Sequence, residues 1–292
     1  MLDILNIVLP AFIVIFIGYL FGKITKKDVS PLVDIAFSIG GPALTLVSML
    51  EKKIVLLDAA KIWGAALLIM VGCGTVAWIV FKILNRKHSA LYLAISIMNT
   101  VNIPFPIIYL AYGSSGLLAA TLFFIPNVIL LYSLGIFIAA GRHWKEGMKE
   151  ILKAPILYAA LLGLALNLLD VTLPELAMKS LNLIAMMAIP LVLVVLGYNL
   201  SKVRLSSLST TFLASFLRVG IGLLFGLLAV NIFNLDGILK SVVILDSAMP
   251  SAVNASIIAA KYDREADLVS SVVFVTTIIS LVSIPFLLSM LT

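Results

Sequence analysis

Apolar stretches of about 20 residues alternate along this chain with short polar clusters. A helix rises 1.5 Å per residue, so roughly 20 apolar residues match the ~30 Å hydrocarbon core of a bilayer. Ten such stretches fit between the clusters, over residues 2–22, 30–50, 58–84, 88–112, 116–140, 154–170, 176–200, 206–232, 236–260 and 265–291. Two of them are interrupted. The fourth, "ISIMNTVNIPFPIIYLAYG", carries Asn99, Asn102, Pro104 and Pro106; the ninth, "VVILDSAMPSAVNASIIAAKY", carries Asp246, Pro250, Ser251 and Asn254. Proline removes a backbone donor and clashes with the preceding turn, so both stretches are predicted to unwind near the bilayer midplane. Unwound backbone cannot face lipid, so each break must be buried in protein or line a wet cavity.

Composition agrees with a polytopic membrane protein. Of 292 residues, 62% are hydrophobic and 12% charged, with a mean hydropathy of +1.20, far from a soluble domain. The net charge of +6 does not point to nucleic acid, because the basic residues form short clusters between apolar runs, the pattern of cytoplasmic loops. Clusters after the odd-numbered stretches (Lys23, Lys26, Lys27; Lys82, Arg86, Lys87; Arg142, Lys145, Lys149, Lys153; Lys202, Arg204; Lys261, Arg264) hold fourteen of the twenty cations. Those after even-numbered stretches hold five, and Arg218 lies inside the eighth. Both termini are therefore expected outside the cell, with the chain multi-pass in the plasma or inner membrane. The first stretch lacks a basic leader and is read as a retained span. The single cysteine, Cys73, excludes an internal disulfide.

The second half of the chain echoes the first. Pro10 and Gly18 correspond to Pro155 and Gly163, Pro42 to Pro190, "VGCG" at 71–74 to "VGIG" at 219–222, and "YGSSGLLAATLFF" from Tyr112 to "YDREADLVSSVVF" from Tyr262. Five spans is an odd number, so two such copies enter the membrane from opposite sides. The expected fold is all-α, with ten transmembrane helices in two inverted five-helix repeats (1–140 and 154–292, joined by a cytoplasmic loop over 141–153) and broken, crossing helices four and nine. Inverted repeats with broken helices at the midplane are a recurrent transporter architecture.

Helical spacing places Asn99, Asn102 and Pro106 on one stripe and Asp246, Pro250 and Asn254 on another. Half-helices starting near the prolines turn positive N-terminal ends to the cavity, favouring an anion such as a carboxylate; freed carbonyls could instead hold Na⁺. A lone proline more often only kinks a helix, but paired breaks at repeat-equivalent positions favour a site. A mid-membrane charge costs at least ~2.5 kcal/mol. Asp246 is thus a candidate proton or coupling-ion site, and Arg218 either its ion-pair partner or a clamp on the solute. Asp34 reads as interfacial; Asn127, and Tyr198 with Asn199, are second-rank cavity candidates. His88 and His143 lack partners at metal spacing. "GYLFG" at 18–22 and "GLLFG" at 222–226 read as packing motifs within the fold rather than a dimer interface, although a homodimer stays open.

"LDSAMPSAVNASIIAAKY" followed by "SSVVFVTTIISLVSIPFLLSML" resembles the C-terminal end of the auxin efflux carrier family, the prokaryotic permeases related to plant PIN proteins. "NTVNIPFPIIYLAYG" looks like that family's span-four crossover, and "FIVIFIGYLFGK" like its opening helix. The resemblance spans essentially the whole chain. It implies spans one, two, six and seven as a scaffold, spans three to five and eight to ten as a transport part, and a fold shared with bile acid sodium symporters. It also implies crossover positions at Asn102, Pro104, Pro106 and Pro250. The chain departs from the family in having Ile103 and Phe105 where a glycine often flanks the proline, and in lacking the long central loop of many plant PINs.

The expected function is secondary transport of small organic anions, such as carboxylates or auxin-like compounds, by alternating access in the lipid bilayer. The expected binding residues are Asn99, Asn102, Pro104, Pro106, Asn127, Arg218, Pro250, Ser251 and Asn254. No cofactor, metal or nucleic acid is expected beyond Na⁺ or H⁺ as coupling ion, nor is enzymatic activity. The alternatives are a sodium-coupled symporter of the bile-acid type, an intramembrane enzyme using Asp246, or a sensor.

Overall fold

The computed structural model describes residues 2–25, 27–86, 88–135, 149 and 152–291. Most of the predicted loop over 141–153, with His143, and the cations Lys26, Lys87, Arg142 and Lys145 lie outside the described residues. The described residues form eleven helices: α1 (Leu2–Ile24), α2 (Ser30–Leu50), α3 (Leu56–Ile83), α4 (Ser89–Ser96), α5 (Pro104–Leu130), α6 (Pro155–Leu168), α7 (Glu175–Ser201), α8 (Leu208–Ile232), α9 (Gly237–Ser247), α10 (Val253–Lys261) and α11 (Ala266–Leu291). Seven of them, α1, α2, α3, α5, α7, α8 and α11, are long and apolar enough to cross a membrane. The other four are too short to do so alone: α6, at 14 residues, reaches only about 21 Å.

The short helices fall where the prolines and polar residues interrupt the apolar pattern. The predicted fourth stretch is divided into α4 and the start of α5, and the ninth into α9 and α10. Helix α5 is long for one crossing, about 40 Å for its 27 residues. It is bent at Gly113, whose φ of 63° and ψ of −155° lie where only glycine sits without strain. That bend falls between the predicted ends of the fourth and fifth stretches. Single π-turns interrupt α2 at Ala36–Gly40 and α8 at Leu217–Ile221, shifting the side chains around them out of α-helical register.

Close backbone approach holds α1 to α7. A Cβ on Gly197 would overlap the carbonyl oxygen of Ile15, and one on Gly18 that of Val194, while Gly22 faces Ser201. "GYLFG" is thus a contact inside the fold, and Gly222 and Gly226 of "GLLFG" likewise meet Ser247. Helix α2 lies against α6 and α7, and buried Asn167 closes its C-terminal end. The Asn167 Nδ2 donates to the carbonyls of Met49 and Lys52, both at 2.7 Å, and its Oδ1 accepts the Ile54 N–H at 2.9 Å, answering carbonyls that a helix end leaves open. A second packed group forms from α3, α5, α8 and α9, with α11 alongside α8, α10 and α1. Ile62, Ile69, Phe81 and Phe123 are fully buried there, whereas Phe16, Leu183, Leu224 and Val282 are exposed on the outside. In water such a surface would invite aggregation; around a membrane protein it is the lipid contact.

Gly197→Val drives a branched side chain into the Ile15 backbone, and the expected destabilisation is about 1–3 kcal/mol. Gly113→Ala meets no neighbouring atom within 4 Å and carries only a backbone penalty, about 1–3 kcal/mol. Thermal unfolding in detergent, followed by size-exclusion chromatography of the heated protein, should place both variants below wild type.

Candidate functional site

The two interruptions meet. Met98 and Ser251 face each other as an isolated antiparallel bridge. The Asn99 N–H donates to the Pro250 carbonyl at 2.8 Å and the Ala252 N–H to the Ile97 carbonyl at 3.1 Å. Met98 and Ser251 are therefore a non-hydrogen-bonded pair enclosed by two backbone bonds, the arrangement that brings Cα atoms closest. Side chains satisfy what the bridge leaves over. Asn127 on α5 donates its Nδ2 to the Met98 carbonyl at 2.9 Å and to Thr100 Oγ1 at 2.8 Å. Thr276 on α11 accepts the Ser251 N–H at 3.1 Å. Asn99 Oδ1 accepts the Asn102 N–H at 3.0 Å, and Pro104 opens α5 at the first helical turn, where its missing donor costs nothing. Unpaired, these buried groups would each cost several kcal/mol in hydrocarbon.

Arg218 stands behind the crossing and is fully buried. Its Nη1 donates to the Ile95 carbonyl at 2.7 Å, and its Nη2 to the Ser247 carbonyl. Cys73 Sγ lies 3.9 Å from Nη1. Arg218 and Asp246 do not form the ion pair the sequence admits, because the guanidinium is taken up by carbonyls. Asp246 is itself 0% exposed, and neither of its carboxyl oxygens has a hydrogen-bond partner among the described residues.

In front of the crossing lies a cavity of about 340 Å³, bounded by α2, the α4–α5 and α9–α10 connections, the second half of α5, the start of α6, and α10. Asn99, Thr100, Asn102, Asn127 and Asn254 line it, and Asp34 and Lys261 also contribute to its wall. Two lining amides keep an unused group: Asn99 Nδ2, a donor, and Asn127 Oδ1, an acceptor. The chain entering α5 (Asn99–Asn102) and the first turn of α10 (Ala252–Asn254) also border the space, so two helix N-termini, each favouring negative charge, converge on it. A few polar groups in an otherwise apolar wall is the usual build of a small-molecule site. A larger groove, about 510 Å³, runs between Phe12 and Phe16 of α1 and Phe274 and Ile278 of α11. Its lining is nearly all apolar, and lipid chains suffice to fill it.

The cavity therefore gathers Asn99, Asn102, Asn127 and Asn254 of the expected site residues. Pro104, Pro106, Arg218, Asp246, Pro250 and Ser251 do not line it: the prolines shape the breaks, Ser251 pairs with Met98, and Arg218 and Asp246 lie in the packing behind. Helical spacing does not carry from Asp246 to Asn254, because the chain is non-helical over residues 248–252 and its register is reset. Tyr198 is elsewhere, with its hydroxyl donating to the Lys27 carbonyl. Asp34, exposed a turn into α2, sits on the cavity wall. Thr100 and Thr276 escape a sequence reading, because an isolated threonine in an apolar stretch carries no periodic signal.

Comparison with known proteins gives a consistent result. The family described as "Membrane transport protein" matches residues 3–151 and 144–288. The chain is 28% identical over 289 residues to an uncharacterized transporter of Methanothermobacter thermautotrophicus, covering 95% of each chain. It is also 26% identical over 298 residues to one of Methanocaldococcus jannaschii, covering 96% of each.

Asn127→Leu removes the amide that holds Met98 and Thr100, leaving a buried carbonyl unpaired. The expected loss is about 1–3 kcal/mol, read as a lowered unfolding midpoint in detergent. Asn254→Ala, at a half-buried position whose side chain makes no such bond among the described residues, is expected to unfold within about 0.5 kcal/mol of wild type.

Proposed function

The chain belongs to the membrane transport protein family, as its resemblance to auxin efflux carriers led us to expect, and from that premise we propose a secondary transporter of small organic anions working by alternating access. The observation that carries this reading is the polar floor of the cavity, formed where two interrupted helices cross. The solute's carboxylate would lie against the N-terminal ends of α5 and α10, with Asn99, Asn102 and Asn254 as amide donors, while Asn127 Oδ1 is left to accept from a donor elsewhere on the solute.

In this reading the eleven helices make ten membrane segments. Helix α4 with α5 up to Gly113 forms the fourth, the rest of α5 the fifth, and α9 with α10 the ninth. The segments fall into two inverted halves, with α1, α2, α6 and α7 as scaffold; the pairing of α1 with α7 and of α2 with α6 supports this division. Both termini lie outside. The cavity wall includes Tyr132, Ala154, Pro155 and Lys261, residues beside the basic clusters, so this conformation would open to the cytoplasm. Passage then requires the crossing to move against α2 and α6, which form the facing wall.

Asp246 supplies the coupling site. Its carboxylate has no partner among the described residues in a place where charge costs at least ~2.5 kcal/mol, a setting suited to taking up and releasing a proton or small cation. The same orphaned carboxylate favours the sodium-coupled alternative over an uncoupled permease. Reconstituted protein should take up carboxylates such as benzoate or indole-3-acetate saturably. Asp246→Asn should reduce gradient-driven uptake about tenfold or more, ~1.4 kcal/mol or greater, while leaving solute binding in place. Sodium-dependent binding would assign Na⁺ as the coupling ion, and indifference to sodium with dependence on a pH gradient would assign H⁺. Absence of flux for every carboxylate, or unchanged uptake in Asp246→Asn, would refute the respective claim.

A further inference from the structure

A fully buried guanidinium needs counter-charge, and among the described residues Arg218 has no carboxylate on it. What it has is two helix ends. Ile95 is the penultimate residue of α4 and Ser247 the last of α9, and Arg218 donates to both carbonyls. Each C-terminus carries about −0.5 elementary charge, so two together match one guanidinium. Helices α5 and α10 begin at the same crossing with about +0.5 each; the residues leading into α5 and the first turn of α10 border the cavity. Closing the negative pair leaves the positive pair unopposed.

Two independent features serve this contact. Arg218 is carried on the π-turn Leu217–Ile221, which resets its direction relative to the rest of α8. At Gly222, one turn on, any Cβ would overlap both Arg218 Nη2 and the Ser247 carbonyl oxygen, so only glycine leaves room for the bond.

We propose that Arg218 is a specificity-determining positioning residue: without touching the solute, it neutralises the C-terminal ends of α4 and α9 and so makes the crossing select anions. This rests on the anion reading of the cavity. It predicts that loss of the guanidinium weakens charged solutes selectively and leaves uncharged isosteres alone, whereas a merely structural arginine would weaken both together.

The full-length protein, purified in detergent, is titrated with benzoate and with benzamide, its uncharged isostere. In Arg218→Gln the ratio of benzoate to benzamide affinity is expected to fall roughly tenfold, and in Arg218→Lys, which keeps the charge, to stay within about threefold of wild type. Gly222→Ala keeps the arginine but crowds it off the Ser247 carbonyl, and its ratio is expected to fall at least about threefold; this variant decides the matter should Arg218→Gln not fold. A ratio unchanged in Arg218→Gln, or in Gly222→Ala when it alone can be measured, overturns the proposal, including the case in which both affinities drop in parallel. Wild-type protein that binds no benzoate overturns the anion reading itself, and this inference with it.

Discussion

Backbone taken out of a helix inside a bilayer must find its hydrogen bonds within the protein, and that constraint organises this molecule. Residues 97–103 and 248–252 leave helical structure in segments too apolar to lie in water. Each interruption satisfies the other: Asn99 N–H to Pro250, Ala252 N–H to Ile97. Neither could persist alone, because a lone break would present unpaired amides to hydrocarbon at several kcal/mol each. The crossing explains why the prolines come in two places, why Asn127 and Thr276 reach in from neighbouring helices, and why the polar lining of the cavity is concentrated there.

A crossing of this kind brings four helix ends to one place, and their partial charges would cancel if nothing intervened. Arg218 intervenes on one pair only, the C-terminal ends of α4 and α9. Asp246, in the same turn of α9 as Ser247, has no partner among the described residues, so within one packing region a buried cation is engaged and a buried carboxyl group is not. An engaged charge holds a structure in place, and a free one is what the coupling role proposed for Asp246 requires. That division of labour fits a family of membrane transport proteins.

Much of this was legible in the sequence, for physical reasons that also mark its limits. Proline and asparagine within a long apolar run have few structural explanations, so both breaks and four of the cavity residues, Asn99, Asn102, Asn127 and Asn254, could be named from residue type alone. Arg218 and Asp246 could be named as exceptional, but not placed. The partners of Arg218 are main-chain carbonyls, which every residue possesses, so no side-chain pattern points to them. The π-turn beneath it has no sequence signature, and helical spacing fails across an extended segment, which is why Asp246 and Asn254 share no stripe. Gly222 could be read as a small residue for helix packing, but that its space is shared with a guanidinium and a carbonyl is a property of the fold alone.

The direct test is whether Met98 and Ser251 face each other in the folded protein. With Cys73 replaced by serine, Met98→Cys and Ser251→Cys introduced together form a non-hydrogen-bonded antiparallel pair, whose Cα separation of about 4.5 Å suits a disulfide. Mild oxidation in native membranes, followed by mass spectrometry of the unreduced digest, should recover the two peptides linked, at high yield and without denaturant. Linkage absent under those conditions, while the same cysteines react fully once the protein is unfolded, would contradict the crossing and the site built on it.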